Sequence, residues 1–201
     1  MTTMLTILTP GFADWETTML NAVAHAFYKV ETRYATPGGR PVTSAGGMTV
    51  TPDLALEAVD VADYDAIIVC GGTIWQSPEA PDLAPLLGDA RAEGKLIGLI
   101  CDATVAAAKA GLLDNVRHTS NGAGYLDFTG YAGAPFYRDT PAAVSDGRIV
   151  TAAGVAPVSF MAAIIEGLGL ADDNLSYYVG MHAAQYGKAA QAKPHGFPDA
   201  H

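Results

Sequence analysis

A cysteine that directly follows a short apolar run is the residue in this sequence best suited to nucleophilic chemistry. Residues 96–100 are mostly apolar and lead straight into Cys101, and an alanine-rich helical stretch follows without a loop. Such a run predicts a buried parallel strand, which places Cys101 between the end of that strand and the N-terminus of a helix. Open α/β sheets bind ligands at this edge, and a helix N-terminus favours a thiolate. We therefore predict that Cys101 is a nucleophile.

Two acidic residues bear on the reactivity of this cysteine. Glu16 falls in the first turn of a predicted helix, so its carboxylate lies at the same sheet edge if the two strands are close. A glutamate near a thiolate in an apolar crevice has a raised pKa and can donate or accept a proton. Asp102 opposes the effect of the helix N-terminus on Cys101, because a negative charge beside a thiol raises the thiol pKa. The sequence leaves the direction of the net shift in the pKa of Cys101 open.

Strands and helices alternate along the chain and would bring these residues to one edge. Apolar runs predict strands at residues 5–9, 30–36, 64–69, 96–100 and 116–120. Helical periodicity, with proline and glycine at the helix ends, predicts helices at residues 14–28, 81–94, 102–110, 157–166 and 175–186. Hairpins are predicted within residues 40–57 and 142–152, and a loop near the crevice is predicted at residues 121–135. This order is typical of βαβ units and a doubly wound parallel sheet.

Composition limits the possible partners and location of the protein. The 201 residues, 50% of them hydrophobic and 16% charged, predict one globular domain. A formal net charge of −10 argues against nucleic acid or an anionic membrane as partner. No apolar run approaches the roughly 20 residues that span a bilayer, and residues 1–10 lack the features of a signal peptide. Two cysteines are too few for a disulfide framework, so we expect a cytoplasmic protein.

Taken together, Glu16, the turn at residues 70–72 and the elbow at Cys101 resemble the ThiJ/PfpI superfamily, over residues 3–188. Residues 117–121 and 149–154 match further family segments, in a form closest to bacterial glutamine-amidotransferase-like members. The resemblance implies a flavodoxin-like fold, with a domain at residues 1–190 and a flexible tail at residues 191–201. It also implies a homodimer that acts on a small molecule without a cofactor or metal.

Individual residues carry roles over from that resemblance. Cys101 matches the nucleophile or oxidation-sensitive centre of the family, and Glu16 matches an acid that is often protonated beside it. The amides of three residues match positions that could stabilise an oxyanion: Gly72, Thr73 and Asp102. Three more residues are expected to line the crevice: Gly71, Asn121 and Gly154. We give less weight to a further set with polar or aromatic side chains: Asp14, Trp15, Tyr125 and Tyr131.

The sequence departs from the family pattern at three positions. Asp102 stands where peptidase-like members have a histidine, and Asn121 stands where many members have another. His118 lies three residues before Asn121 and is either a second base or a strand residue that faces away. Ala153 stands where some sensor-like members have an arginine.

Other histidines and the second cysteine carry less information. A class I amidotransferase needs a downstream His-x-Glu, and none of the downstream histidines has this spacing: His118, His182, His195 and His201. A working glutaminase is therefore not expected, and no histidine pair has metal spacing. Cys70 ends a strand predicted to neighbour the Cys101 strand, and it is either a buried small side chain or a resolving thiol.

Three functions follow from these residues. The leading hypothesis is a small-molecule enzyme in which Cys101 attacks an electrophilic carbon, with glyoxalase-, hydratase- or hydrolase-type chemistry. In this hypothesis Glu16 moves the proton and His118 is a possible second base. The alternatives are a stress sensor that works through oxidation of Cys101, weakened by Ala153, and an intracellular peptidase, weakened by Asp102.

Overall fold

The computed structural model describes residues 1–186, so the predicted tail at residues 191–201 lies outside the described residues. Nine strands are present in this part of the chain: β1 (Thr3–Ile7), β2 (Glu31–Thr36), β3 (Val42–Thr43), β4 (Thr49–Val50), β5 (Leu54–Ala55), β6 (Ala66–Val69), β7 (Leu96–Ile100), β8 (Val144–Asp146) and β9 (Ile149–Ala152). Five helices accompany them: α1 (Asp14–Tyr28), α2 (Ala84–Ala92), α3 (Ala103–Lys109), α4 (Pro157–Gly167) and α5 (Asp173–Tyr186).

Seven of these strands form one sheet in the order β5-β2-β1-β6-β7-β9-β8. All neighbouring pairs are parallel except β8 and β9, which form an antiparallel hairpin at the edge. The chain moves outward from β1 to β2, then crosses back to β6 on the other side of β1. This reversal is the point at which doubly wound sheets open a crevice beyond the carboxyl ends of their strands. The predicted flavodoxin-like fold is confirmed.

Side chains of the central strands alternate between two apolar layers, as the period of two in a strand requires. On β6, Ile67 and Val69 pack in the layer that includes Leu87 of α2 and Ala107 of α3. Their neighbour Ile68 packs in the opposite layer, which contains buried residues of α1 and α4. Strands buried on both faces read as continuous apolar runs, which is why residues 66–69 and 96–100 were recognisable in the sequence.

Gly98 shows how closely α4 approaches the sheet. A Cβ atom at this position would lie 2.6 Å from Cδ1 of Ile164 and 2.8 Å from Cδ1 of Ile68. A side chain at residue 98 would therefore push α4 away from β7, the strand that carries Cys101.

One predicted strand and one predicted helix start were wrong. Residues 116–120 do not form a strand; the backbone there makes only an isolated bridge between His118 and Tyr137. Helix α2 begins at Ala84 rather than near Pro81, and the Asp82 side chain accepts a hydrogen bond from the Ala84 amide at 2.9 Å. The predicted hairpin around Gly46 and Gly47 is present as the β3–β4 pair.

Candidate active site

Cys101 occupies a sharp turn between β7 and α3. Its φ is 59°, a left-handed value that a residue with a side chain seldom adopts. The backbone is held on both sides of the sulfur, because the Cys101 amide donates to the Ala152 carbonyl at 2.8 Å and the Cys101 carbonyl accepts from the Thr104 hydroxyl at 2.6 Å. The Cys101 side chain is partly exposed. Unusual backbone angles of this kind are typical of functional sites, where the surrounding structure maintains them.

Glu16 projects from the first turn of α1, and its side chain is fully buried. Its Oε2 accepts a hydrogen bond from the Gly71 amide at 2.8 Å, while Oε1 has no hydrogen-bond partner within residues 1–186. Burial raises the pKa of Glu16 to about 7, against the opposing effects of the Cys101 thiol and the Gly71 amide. A carboxyl group with this pKa can exchange a proton near neutral pH.

Two glycines make room for the sulfur and the carboxyl group to meet. A Cβ atom at Gly154 would lie 2.7 Å from Cys101 Sγ and 2.9 Å from Glu16 Oε1, so both atoms border the same small space. A Cβ atom at Gly71 would lie 2.7 Å from Cys101 Cβ. Any side chain at either position would fill the space between the thiol and the carboxyl group.

The pKa of the Cys101 thiol is raised. Burial is the main cause, and the neighbouring Glu16 adds to it through its charge, while Asn121 acts in the opposite direction. The negative charge of Asp102 contributes a smaller upward effect. Near neutral pH the proton therefore resides on the sulfur, and Glu16 ionises first. The net direction left open by the sequence is upward.

Asp102 is the centre of a polar cluster beside the sulfur. Its buried carboxylate accepts hydrogen bonds from Asn121 Nδ2 at 2.9 Å, from Gln76 Nε2 at 3.3 Å and from the Tyr125 hydroxyl. Asn121 Nδ2 also lies 3.3 Å from Cys101 Sγ, and Asn121 Oδ1 accepts from the Gly154 amide at 3.0 Å. Asn121 thus connects Asp102, the thiol and the end of β9.

Three backbone amides that follow the carboxyl ends of β6 and β7 are free to bind an oxygen atom. Gly72 and Thr73 begin a short turn after β6, and Asp102 follows the nucleophile directly. Within residues 1–186 the amides of Gly72, Thr73 and Asp102 donate to no protein acceptor. Free amides of this kind can stabilise negative charge that develops on a substrate oxygen.

A family model described as "DJ-1/PfpI family" matches residues 2–167. The chain belongs to the DJ-1/PfpI family. It is similar to the uncharacterized protease YoaZ of Bacillus subtilis, with 34% identity over 147 residues, 72% of this chain and 70% of that protein.

Solved structures of the DJ-1/PfpI family superpose well on this chain. The DJ-1 superfamily protein Atu0886 from Agrobacterium tumefaciens is 41% identical with a TM-score of 0.88, covering 92% of this chain and 100% of that one. A thiJ/pfpI family protein from Bacillus anthracis is 27% identical with a TM-score of 0.84, covering 92% of each chain. The predicted family is therefore confirmed.

His118 does not reach the sulfur in this DJ-1/PfpI protein. It is buried, its Nδ1 lies 2.8 Å from the Val116 carbonyl, and its Nε2 lies 3.2 Å from the Tyr131 hydroxyl. Burial lowers the pKa of His118, which keeps the ring neutral. The ring packs edge-on against Tyr131 and Tyr137, so the structure assigns both His118 and Tyr131 to a separate aromatic cluster.

The remaining candidates lie at the rim of the site or behind it. Trp15 donates from Nε1 to the Gly154 carbonyl at 3.2 Å, which connects α1 to the end of β9. Asp14, the first residue of α1, accepts from the Ser44 hydroxyl at 2.6 Å. Cys70 is buried behind Glu16, where its thiol donates to the Ala13 carbonyl and accepts from the Thr17 hydroxyl, both at 3.3 Å.

Gln76 is the residue of the Asp102 cluster that the sequence did not reveal. It lies on the turn after β6, four residues beyond Gly72, and its Nε2 also donates to the Tyr125 hydroxyl at 2.8 Å. The available signal was its position, because polar side chains in turns at the carboxyl edge of a parallel sheet face the crevice. Within residues 1–186 no group of three or more metal-ligating side chains was found, and no helix is long and apolar enough to cross a membrane.

Proposed function

We propose that this protein is an enzyme in which the Cys101 thiol attacks the electrophilic carbon of a small, neutral molecule. The observation that carries the proposal is the meeting of Cys101 Sγ and Glu16 Oε1 in one confined space, which two glycines keep open. Glu16 has the pKa of a general base at neutral pH, and its free oxygen faces the sulfur. A thiol with a raised pKa needs such a base, because only the thiolate is strongly nucleophilic.

The first step follows from these positions. As the bond between Sγ and the substrate carbon forms, the thiol proton moves to Glu16 and the π electrons of the carbonyl move to its oxygen. In this proposal the amides of Gly72 and Asp102 hold that oxygen, with Thr73 as an alternative donor. Glu16, now neutral, then protonates the oxygen and becomes a carboxylate again.

The charges around the sulfur favour neutral substrates. Within residues 1–186, the groups that shift the pKa values of Cys101 and Glu16 include the acidic side chain of Asp102 and no lysine or arginine. A substrate carboxylate would be repelled by Glu16 and Asp102 without a compensating cation. We therefore infer that the substrate is an uncharged aldehyde or isonitrile rather than a 2-oxo acid.

A 2-oxoaldehyde such as methylglyoxal is the leading candidate. After thiol addition, Glu16 removes the proton from the former aldehyde carbon and the resulting enediol is reprotonated at the neighbouring carbon. The product of this isomerisation is a thioester of Cys101, and water hydrolyses it to the 2-hydroxy acid. The net reaction adds one water molecule, oxidises the aldehyde carbon and reduces the ketone carbon.

Two other functions receive less support. A sensor that holds an oxidised Cys101 would place a permanent anion between Glu16 and Asp102, where Ala153 supplies no positive charge. Peptide hydrolysis, which the name of YoaZ suggests for that protein, requires a general acid that protonates the leaving amine, a role that a histidine paired with the nucleophile fills in cysteine peptidases. Within residues 1–186 no histidine hydrogen-bonds to Cys101 or Glu16.

The test compares kcat/KM for phenylglyoxal and for 4-carboxyphenylglyoxal, two 2-oxoaldehydes that differ by a single carboxylate. We expect turnover of phenylglyoxal that is at least about 100-fold more efficient, as strong repulsion of an unpaired anion implies. For methylglyoxal, kcat/KM should rise as pH increases through about 7, because Glu16 must be ionised to accept the thiol proton. Equal use of both aldehydes would refute the inferred substrate charge.

Two further reagents separate the alternatives. Casein hydrolysis that depends on Cys101, without turnover of neutral aldehydes or isonitriles, would replace the proposal with a peptidase. Stoichiometric oxidation of Cys101 by peroxide without any turnover would replace it with a sensor.

We also propose a homodimer, as the family resemblance implies. Exposed aromatic side chains on α1 and α5, Phe27 and Tyr177 among them, offer apolar area for such contact. Light scattering coupled to gel filtration should give twice the chain mass of 20.8 kDa, and a monomer at micromolar concentration would exclude it.

A further inference from the structure

The side-chain amide of Asn121 has a defined orientation at the site. Its Nδ2 points two hydrogens at two acceptors, Cys101 Sγ at 3.3 Å and Asp102 Oδ1 at 2.9 Å. Its Oδ1 accepts from the Gly154 amide at 3.0 Å. Rotation of the amide by 180° would set oxygen against the Asp102 carboxylate and N–H against N–H, so only this orientation is favourable.

The carboxylate that orients Asn121 is itself held by two further side chains. Asp102 is 6% exposed and accepts from Gln76 Nε2 at 3.3 Å and from the Tyr125 hydroxyl. Gln76 and Tyr125 also bind each other at 2.8 Å. A buried carboxylate without a cationic partner is costly unless neutral donors surround it, and these three donors meet that need.

We propose that Asn121 is a second catalytic residue, which donates an N–H to the Cys101 sulfur as negative charge develops there. Asp102, Tyr125 and Gln76 are positioning residues that hold the Asn121 amide in the donating orientation. The inference rests on the proposed function of Cys101 as a nucleophile. It adds a division of labour in which Glu16 removes the proton and Asn121 stabilises the resulting thiolate.

The roles of Asn121 and Asp102 can be separated by the sign of their effects. A hydrogen bond to the charged form favours that form, so Asn121 lowers the pKa of the thiol, while the charge of Asp102 raises it. Asp102 Oδ1 also accepts a hydrogen bond from the Cys101 thiol at 3.8 Å, and together with its charge this contact favours the protonated sulfur, so Asp102 assists the nucleophile through Asn121. Loss of the Tyr125 hydroxyl leaves the charge of Asp102 in place and weakens only the orientation of the cluster.

The experiment measures the thiol pKa of Cys101 from the pH dependence of iodoacetamide alkylation, read by peptide mass spectrometry. For Asn121→Ala we expect about one-tenth of the wild-type thiolate fraction at a given pH, as loss of a hydrogen bond to a charged group implies. Tyr125→Phe and Gln76→Ala should shift the thiol pKa in the same direction by less. Asn174→Ala, which removes an exposed asparagine on α5, should leave it unchanged.

The outcomes distinguish this inference from the proposed function, because alkylation does not require turnover. An unchanged or lower thiol pKa in Asn121→Ala would overturn the role of Asn121, and Asn121→Ser serves the same purpose if the alanine variant fails to fold. A raised thiol pKa in Asn121→Ala with no shift in Tyr125→Phe or Gln76→Ala would overturn the positioning roles. A shift in all three variants would support the inference even if no substrate is turned over.

Discussion

The two cysteines of this protein follow neighbouring strands and yet have opposite environments. Val69, the residue before Cys70, pairs with Leu99 of β7, so the two thiols leave the sheet at nearly the same level. Cys101 adopts a φ of 59° and is partly exposed, whereas Cys70 does not have a positive φ and is fully buried. Burial raises the pKa of both thiols, to about 12 for Cys70.

The difference lies in what each sulfur contacts. Cys70 donates to the Ala13 carbonyl and accepts from the Thr17 hydroxyl, so both capacities of the thiol are used within the protein. Cys101 has a carboxyl group with a free oxygen on one side and the Asn121 amide on the other. Reactivity at this sheet edge therefore depends on the groups that can take the proton and stabilise the anion.

Replacing each cysteine in turn gives the largest contrast. Cys101→Ala should lower kcat/KM for the substrate by at least about 10³-fold, because the covalent route is lost. Cys70→Ala should keep kcat/KM within about threefold and lower the free energy of unfolding by about 1–2 kcal/mol, since the buried Thr17 hydroxyl loses a partner. Steady-state kinetics and urea unfolding check both, and equal losses of activity would remove the distinction between the two thiols.

Alkylation of the folded protein sharpens the same contrast. At pH 8 iodoacetamide should modify Cys101 at least about 100-fold faster than Cys70, because Cys70 becomes accessible only when the structure opens locally. The rate at Cys101 should still rise between pH 8 and 9, since its thiol pKa lies above the ordinary value of about 8.5. A plateau below pH 8 would contradict the raised pKa.

Glu16→Gln tests how much the buried carboxyl group beside Cys101 lowers the free energy of unfolding when it is ionised. The pKa of Glu16 is raised from 4.5 to about 7, so between these pH values the folded state retains a proton that the unfolded chain has lost. Stability therefore falls as pH rises through this range. At pH 8 the glutamine variant should be more stable than wild type by about 1–3 kcal/mol and lack activity. Urea titrations at pH 4.5 and 8 measure this, and a variant no more stable at pH 8 would contradict it.

The smallest effect on activity is expected at His118. Its hydrogen bonds go to Val116 and Tyr131, so His118→Gln should change kcat/KM by no more than about twofold. Because the pKa of His118 is lowered on folding, wild-type stability should fall as pH drops below about 6.5. The glutamine variant should lose this part of the acid dependence in thermal melts. A large loss of kcat/KM in a folded variant would return His118 to the active site.

Much of the fold could be predicted because its strands and helices leave strong patterns. Strands buried on both faces produce apolar runs, and the helix spanning residues 14–28 has the predicted bounds. The strand predicted at residues 116–120 is absent because its β-like composition is not accompanied by a partner strand, and its backbone pairs with Tyr137 at one point only. Strand pairing depends on distant parts of the chain, which local pattern cannot reveal.

The candidate site was predictable where it depends on position along the chain. Cys101 and Glu16 each follow a strand of the parallel sheet, so topology alone brings them to one edge. The side-chain network of Gln76, Tyr125 and Asp102 was not predictable, because it depends on rotamers of three separate loops. The direction of the thiol pKa shift was also hidden, since it depends on burial and on the distance to Glu16.

The placement of Trp15 provides an optical probe of the site. The chain has two tryptophans: Trp75 is 1% exposed, whereas Trp15 is 56% exposed and donates to the Gly154 carbonyl beside the sulfur. The emission of Trp15 changes when its indole loses contact with water or its hydrogen bond breaks, while the buried Trp75 contributes a constant background. Intrinsic fluorescence of the unmodified protein can therefore report occupation of the crevice, and Trp15→Phe would silence the signal.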